Sequence, residues 1–131
     1  MKQIPKTHAD ILDKPAFAHL STLMADGSPH TAPVWVDTEG GYVVVNSAEG
    51  RLKDRNIRRD PRVSLSLTDP DNPYRSLAIR GKVAKITTEG ADGHIDKLAK
   101  KYMGVDEYPY RSAEEVRVMY YIEPERIGAT P

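Results

Sequence analysis

"GRLKDRNIRRDPRVSLSL" (Gly50–Leu67) contains the change of pattern on which the fold turns. Its first part is a charged run. Six of the twelve residues from Arg51 to Arg62 are Arg or Lys, and only Asp54 and Asp60 oppose them. This run predicts a helix over Leu52–Asp60, ended by Pro61, whose ring cannot continue it. From Val63 to Asp69 the pattern becomes strict alternation. Val63, Leu65 and Leu67 face one way and Ser64, Ser66 and Thr68 the other, as in a half-buried strand. A short basic helix feeding a one-sided strand is the unit around which the rest must be arranged.

Upstream, "YVVVN" (Tyr42–Asn46) is β-branched and continuously apolar, which predicts a central strand. "AFAHLSTLM" (Ala16–Met24) and "PHTAPVWVD" (Pro29–Asp37) read as two hairpin strands joined by the Asp-Gly turn of "ADGS" (Ala25–Ser28). "TEGG" (Thr38–Gly41) makes the next turn, and a short helix over Ile4–Asp13 is stopped by Pro15. Downstream, "PDNP" (Pro70–Pro73) is a turn-rich loop. Tyr74–Thr87 is a long strand that Gly81 bends or bulges. Ile95, Leu98, Ala99 and Tyr102 recur at i, i+3, i+4 and i+7, an amphipathic helix closed by Gly104 that makes Tyr102 a core residue. A loop carrying Tyr108 and Tyr110 leads to a last strand, "VRVMYYIEPERI". Six or so antiparallel strands with two or three short peripheral helices predict a mainly β fold closed into a small barrel.

At 131 residues the chain has room for one domain, taken as 1–131. Nineteen basic residues balance nineteen acidic ones, so no overall field attracts nucleic acid or an anionic membrane. There is no cysteine, which excludes disulfides and thiolate chemistry. "MKQIPKTHADILDKPAF" has no apolar signal core, and no stretch approaches the ~20 apolar residues of a membrane span. The expectation is a soluble, cytoplasmic protein. His8, His19 and His94 are too scattered to suggest a metal site.

The basic segment has three readings. It is a solvated helix face, the usual fate of a charge run. It is a nucleic-acid patch, but no aromatic residue lies between Arg51 and Arg62 to stack a base. Or it is an anion site: Arg51 and Lys53 stand at a helix start, where free N–H groups and the helix dipole already favour negative charge. A phosphate there would receive charge-assisted hydrogen bonds, with Ser47 adding a hydroxyl donor. Arg58, Arg59 and Arg62, farther along, either guide a longer anionic tail or face water. The third reading is favoured.

The same string, preceded by "VVVNSAE" and earlier by "DGSPHTAPVWVD", resembles the pyridoxamine 5′-phosphate oxidase-like split β-barrel family of flavin- and deazaflavin-binding proteins. "DPDNPYRSLAIRGKV", "HIDKLAKKYMG" and the closing "YIEPERI" are similar to its actinobacterial branch using coenzyme F420, the flavin/deazaflavin oxidoreductase B group. The likeness runs from about Phe17 to Ile127. It implies a six-stranded antiparallel split β-barrel of the FMN-binding type, forming a homodimer with the cofactor at the interface. On that resemblance, the backbone of the strand Pro33, Val34, Trp35 and Val36 flanks the ring, and Asn46 and Ser47 line the ribityl and phosphate region. Arg51 and Lys53 hold the phosphate, and Arg75, Ser76 and Leu77 approach the ring from another side, from the same chain or the partner subunit. An oligoglutamate tail on F420 would give the additional arginines a task that FMN would not.

The implied activity is an F420H2-dependent reduction, with hydride passing to an electron-poor, conjugated small molecule. The alternatives are an FMN-binding relative and a non-catalytic F420 or flavin carrier. A true pyridoxamine phosphate oxidase needs an Arg-x-His pair near the C-terminus, and "EPERIGATP" has none. Trp35 reads more strongly as core than as a stacking platform. Tyr108 and Tyr110 are the better pocket candidates among the tyrosines. His30 is a candidate proton donor with a competing structural reading.

Overall fold

The computed structural model describes Met1–Pro131 throughout. Three helices, α1 (Ala9–Asp13), α2 (Leu52–Arg59) and α3 (Ala91–Met103), accompany seven strands. The strands are β1 (Ala18–Leu23), β2 (Pro29–Val34), β3 (Val36–Glu39), β4 (Tyr42–Ala48), β5 (Arg62–Asp69), β6 (Asn72–Thr87) and β7 (Arg117–Thr130). All pair antiparallel in one sheet of order β2-β1-β5-β6-β7-β4-β3.

That order dictates the shape. β2 and β3 occupy opposite edges of the sheet, yet Trp35 alone joins them. In a flat sheet, edge strands of a seven-stranded array would stand about 29 Å apart. One residue spans only about 3.5 Å. The sheet must therefore curl until its edges meet, and the curled sheet is a split barrel with its seam at Trp35. The seam also corrects the expected strand count: the run Pro29–Asp37 is two strands, so the barrel has seven rather than six.

Alternation then fills the barrel. Val63, Leu65 and Leu67 of β5 point inward with Leu77 and Ile79 of β6 and Val43 and Val45 of β4. Ile11 and Leu12 of α1 and Ile57 of α2 join the same cluster. β4 is apolar on both faces because Val44 packs outward with Ala91 of α3 and Met119 of β7. At Gly81 the pairing of β6 with β7 shifts register, the expected bulge. A Cβ at Gly81 would stand 2.0 Å from the Glu123 carbonyl oxygen, so only glycine lets the strands approach. The loop expected over Pro70–Pro73 is tighter than that. β6 begins at Asn72, and the Asp69 carboxylate accepts the Asp71 N–H at 2.9 Å to hold the turn.

Helix α3 lies over the seam. The Tyr102 hydroxyl accepts the Val36 N–H at 3.0 Å and donates to the Ala16 carbonyl at 2.7 Å. Lys101 Nζ donates to the Val36 carbonyl at 2.8 Å and also to the Leu12 carbonyl. Both backbone polar groups of Val36 are thus satisfied by neighbouring side chains of one helix. Tyr102, read as core from its spacing, is instead a half-buried clasp across the seam. No helix is long and apolar enough to cross a membrane.

Candidate cofactor groove

Beside the seam lies an open groove of about 200 Å³. One wall is Pro33, Val34 and Trp35, with Phe17 at the rim; Tyr108, Tyr110 and Ile95 face them. Trp35 stacks on Tyr102 with ring centroids 5.2 Å apart and meets Tyr108 edge-on at 6.1 Å. It is half-buried in the seam rather than in the core, because a residue bridging two sheet edges has no inward face to occupy. Tyr108 and Tyr110 line the groove as expected. His30 sits opposite Thr22 on β2 and does not reach it.

The other end of the groove is cationic. Arg51, Lys53 and Arg117 converge there, and no carboxylate lines the groove. Glu115, just behind, accepts from Arg51 Nη2 at 2.7 Å and from Arg117 Nη1 at 3.0 Å. Lys53 has neither an ion pair nor a hydrogen bond from its ammonium. Burial pushes that ammonium below the usual lysine range, and the positive charges of Arg51 and Arg117 push it the same way. A half-buried cation beside two others is destabilised until an anion joins it. No side chain caps α2 at Arg51, so its first N–H groups have no side-chain partner at the end of the helix that carries Arg51 and Lys53.

The rest of the basic segment is occupied. Asp54, 3% exposed, accepts the Gly50 N–H, Arg58 Nε and the Tyr120 hydroxyl, the last at 2.6 Å. Arg59 bonds the Leu23 carbonyl and the Asn56 side chain, and Arg62 pairs with Asp60. Only Arg55 leaves its guanidinium without a partner in the chain.

The residues named from the sequence divide accordingly. Pro33, Val34, Trp35, Asn46, Arg51 and Lys53 come together at the groove. The side chains of Val36 and Ser47 do not line it, being buried on the inner face of the barrel. Arg75, Ser76 and Leu77 also lie elsewhere in the chain. Leu77 is in the core, and the Arg75 guanidinium is held by Asp10 and Asp69, each at 2.9 Å from Nη1, and by the Thr7 carbonyl. Arg117, Phe17 and Glu115 escaped the sequence reading. The signal for Arg117 was a charged residue inside the apolar run "VRVMYY", where a strand interior admits charge only with partners.

The profile of the pyridoxamine 5′-phosphate oxidase family matches residues 4–130. The chain belongs to the pyridoxamine 5′-phosphate oxidase family. Among solved structures, an F420 reductase superposes with a TM-score of 0.83 at 30% identity, covering 95% of this chain and 98% of that one. A conserved hypothetical protein, Rv2991 from Mycobacterium tuberculosis, follows at 0.73 and 22% identity, over 99% and 89%. A putative pyridoxamine 5′-phosphate oxidase from Listeria innocua gives 0.71 and 22% identity, over 92% and 93%. The last two likenesses speak for the fold alone. In this member of the pyridoxamine 5′-phosphate oxidase family, an aromatic wall and an uncompensated cationic end share one groove, the two features a phosphate-bearing ring cofactor needs.

Proposed function

We propose that this protein is an F420H2-dependent reductase acting on electron-poor, conjugated small molecules. The observation that carries the reading is Lys53, a half-buried ammonium without a counter-ion at the uncapped start of α2. Support also comes from the 30% identity to an F420 reductase over nearly the full length of both chains. Bound there, the deazaflavin supplies hydride transfer. Lys53, Arg51 and the first N–H groups of α2 hold its phosphate. Trp35 and Pro33 offer a flat apolar wall for its ring, and Tyr108 and Tyr110 stand on the opposite side. No histidine or carboxylic acid lines the groove, and this reading assigns the proton to solvent.

A second copy of the chain completes the site. The groove is smaller than the ~300 Å³ of a typical ligand pocket. Its rim residues Phe17 and Tyr110 are 54% and 67% exposed, which is costly for aromatic rings unless something covers them. The backbone of Arg75–Leu77 would reach the ring from that partner. FMN binding is a second reading, and the pairing of Arg58, Arg59 and Arg62 within the chain favours it. Those arginines are not free to follow an oligoglutamate tail.

Equilibrium binding of F420 and FMN side by side, followed by oxidation of F420H2 against a panel of conjugated carbonyl compounds, tests the reading. Tighter binding of F420 and substrate-dependent loss of F420H2 are expected. Tighter binding of FMN, or F420 binding without turnover, would replace the reductase with the FMN relative or the carrier.

A further inference from the structure

Behind the cationic end of the groove runs a chain of polar side chains that no feature of the sequence predicted. Asn46 Nδ2 donates to the Ala91 carbonyl at 2.9 Å and to His94 Nδ1 at 3.1 Å, while Asn46 Oδ1 accepts from Arg117 Nε at 2.9 Å. His94 Nε2 lies 3.3 Å from Asp37 Oδ2, which also takes Lys97 Nζ at 3.0 Å.

The directions of these bonds are not free. A carbonyl oxygen only accepts and an arginine Nε–H only donates. The Asn46 amide can therefore sit one way only, with its NH2 toward Ala91 and its oxygen toward Arg117. His94 Nδ1 must then accept, and its proton must be on Nε2, facing the Asp37 carboxylate. Donation runs from Arg117 through Asn46 to His94, whose Nε2 faces Asp37 at 3.3 Å without completing a hydrogen bond. Arg117 is 7% exposed, its ring-side face lies over Tyr108, and Glu115 takes Nη1. Nη2 makes no bond within the chain and is left for a ligand at the groove.

We propose that His94 and Asn46 are positioning residues that aim Arg117 at the anion of the bound cofactor. This rests on the reading of the groove as a phosphate-bearing cofactor site. It assigns a role to a histidine that touches neither the groove nor any ligand in it. His94 works by accepting the second Asn46 N–H, which tethers the amide in place and with it the guanidinium.

Three measurements test it. In the intact apoprotein, nitrogen-15 spectra of the His94 ring should report the tautomer protonated at Nε2. A proton at Nδ1 would overturn the proposal without any ligand being used. His94→Phe, which keeps a ring but removes both nitrogens, should weaken FMN and F420 binding about threefold to tenfold. His94→Asn, which restores an acceptor near the Nδ1 position, should recover most of that loss. In an Arg117→Met background, His94→Phe should cost nothing further, because the effect passes through Arg117. If Lys53→Ala weakens binding while His94→Phe leaves it unchanged, the cofactor site stands and the positioning role falls. A wild-type protein that binds neither cofactor overturns both.

Discussion

The molecule holds two clusters of charge built on different principles. At the corner of α1 and the β5–β6 turn, Arg75 and Lys14 meet Asp10, Asp69 and Asp71, so every cation has a carboxylate. At the groove, Arg51 and Arg117 share Glu115, and Lys53 has no carboxylate at all. The first cluster is closed on itself and ties α1 to the barrel. The second leaves positive charge over, half-buried, where water can least compensate it. Charge satisfied within the chain serves folding here, and charge left unsatisfied is what the proposed cofactor site rests on.

The largest effect should come from the unsatisfied cation. Lys53→Ala is expected to weaken cofactor binding tenfold to a hundredfold, from the ~1.5–3 kcal/mol of a charged hydrogen bond. The thermal midpoint of the apoprotein should stay level or rise, because a desolvated cation is removed. Titration of cofactor fluorescence and thermal melts check the two halves. A drop in apoprotein stability without loss of affinity would make Lys53 structural and break the contrast.

The closed cluster should respond to acid instead. The Asp71 N–H first, and then Lys14 and Arg75, hold the Asp69 carboxyl down at about 2, against the opposing effect of burial. A depressed carboxylate contributes stability that is complete above its ordinary value near 3.8 and is lost as pH falls toward 2. Melting temperature should therefore fall between about pH 4 and pH 2. Asp69→Asn should melt lower at neutral pH and show a shallower fall, with cofactor affinity unchanged. An equally steep acid limb in the variant would place the pH dependence in other carboxylates.

Smaller effects belong to the outer arginines. With Arg55 alone unpaired, lengthening an oligoglutamate tail should raise affinity only about twofold to fivefold at low salt, within the ~0.2–1 kcal/mol of an exposed ion pair. That gain should vanish at high salt. A hundredfold gain would show that the partner subunit supplies further cations. Smallest of all, Arg59→Ala should change affinity less than about twofold, since its guanidinium is committed to Leu23 and Asn56.

The place of Lys53 at a helix start beside a strand was legible in the sequence because its signals are local: a strand, a basic run, a helix stop. The alternating face of β5 and the bulge at Gly81 were legible for the same reason. What escaped was set by closure. Nothing within Pro29–Asp37 announces a break at Trp35, because the break is imposed by elements far away in sequence, the closing strand β7 and the helix α3 that carries Tyr102. Ser47 followed the same logic. Its position next to Asn46 promised a role at the groove, but strand alternation turns one inward and the other outward. Arg117 was hidden because the partner that turns its guanidinium, Asn46, lies 71 residues away in the chain.

The clasp at Val36 has one more consequence. In a sheet, an edge amide proton usually exchanges with solvent when its strand pair frays. The Val36 proton is instead held by a phenol on α3, so its exchange rate reports the detachment of that helix rather than the opening of the barrel. Tyr102 also stacks on Trp35, so a ring arriving at the groove presses on the same phenol. Deuterium uptake at this single amide is thus a gauge of how firmly the helix is seated, readable before and after any ligand is added.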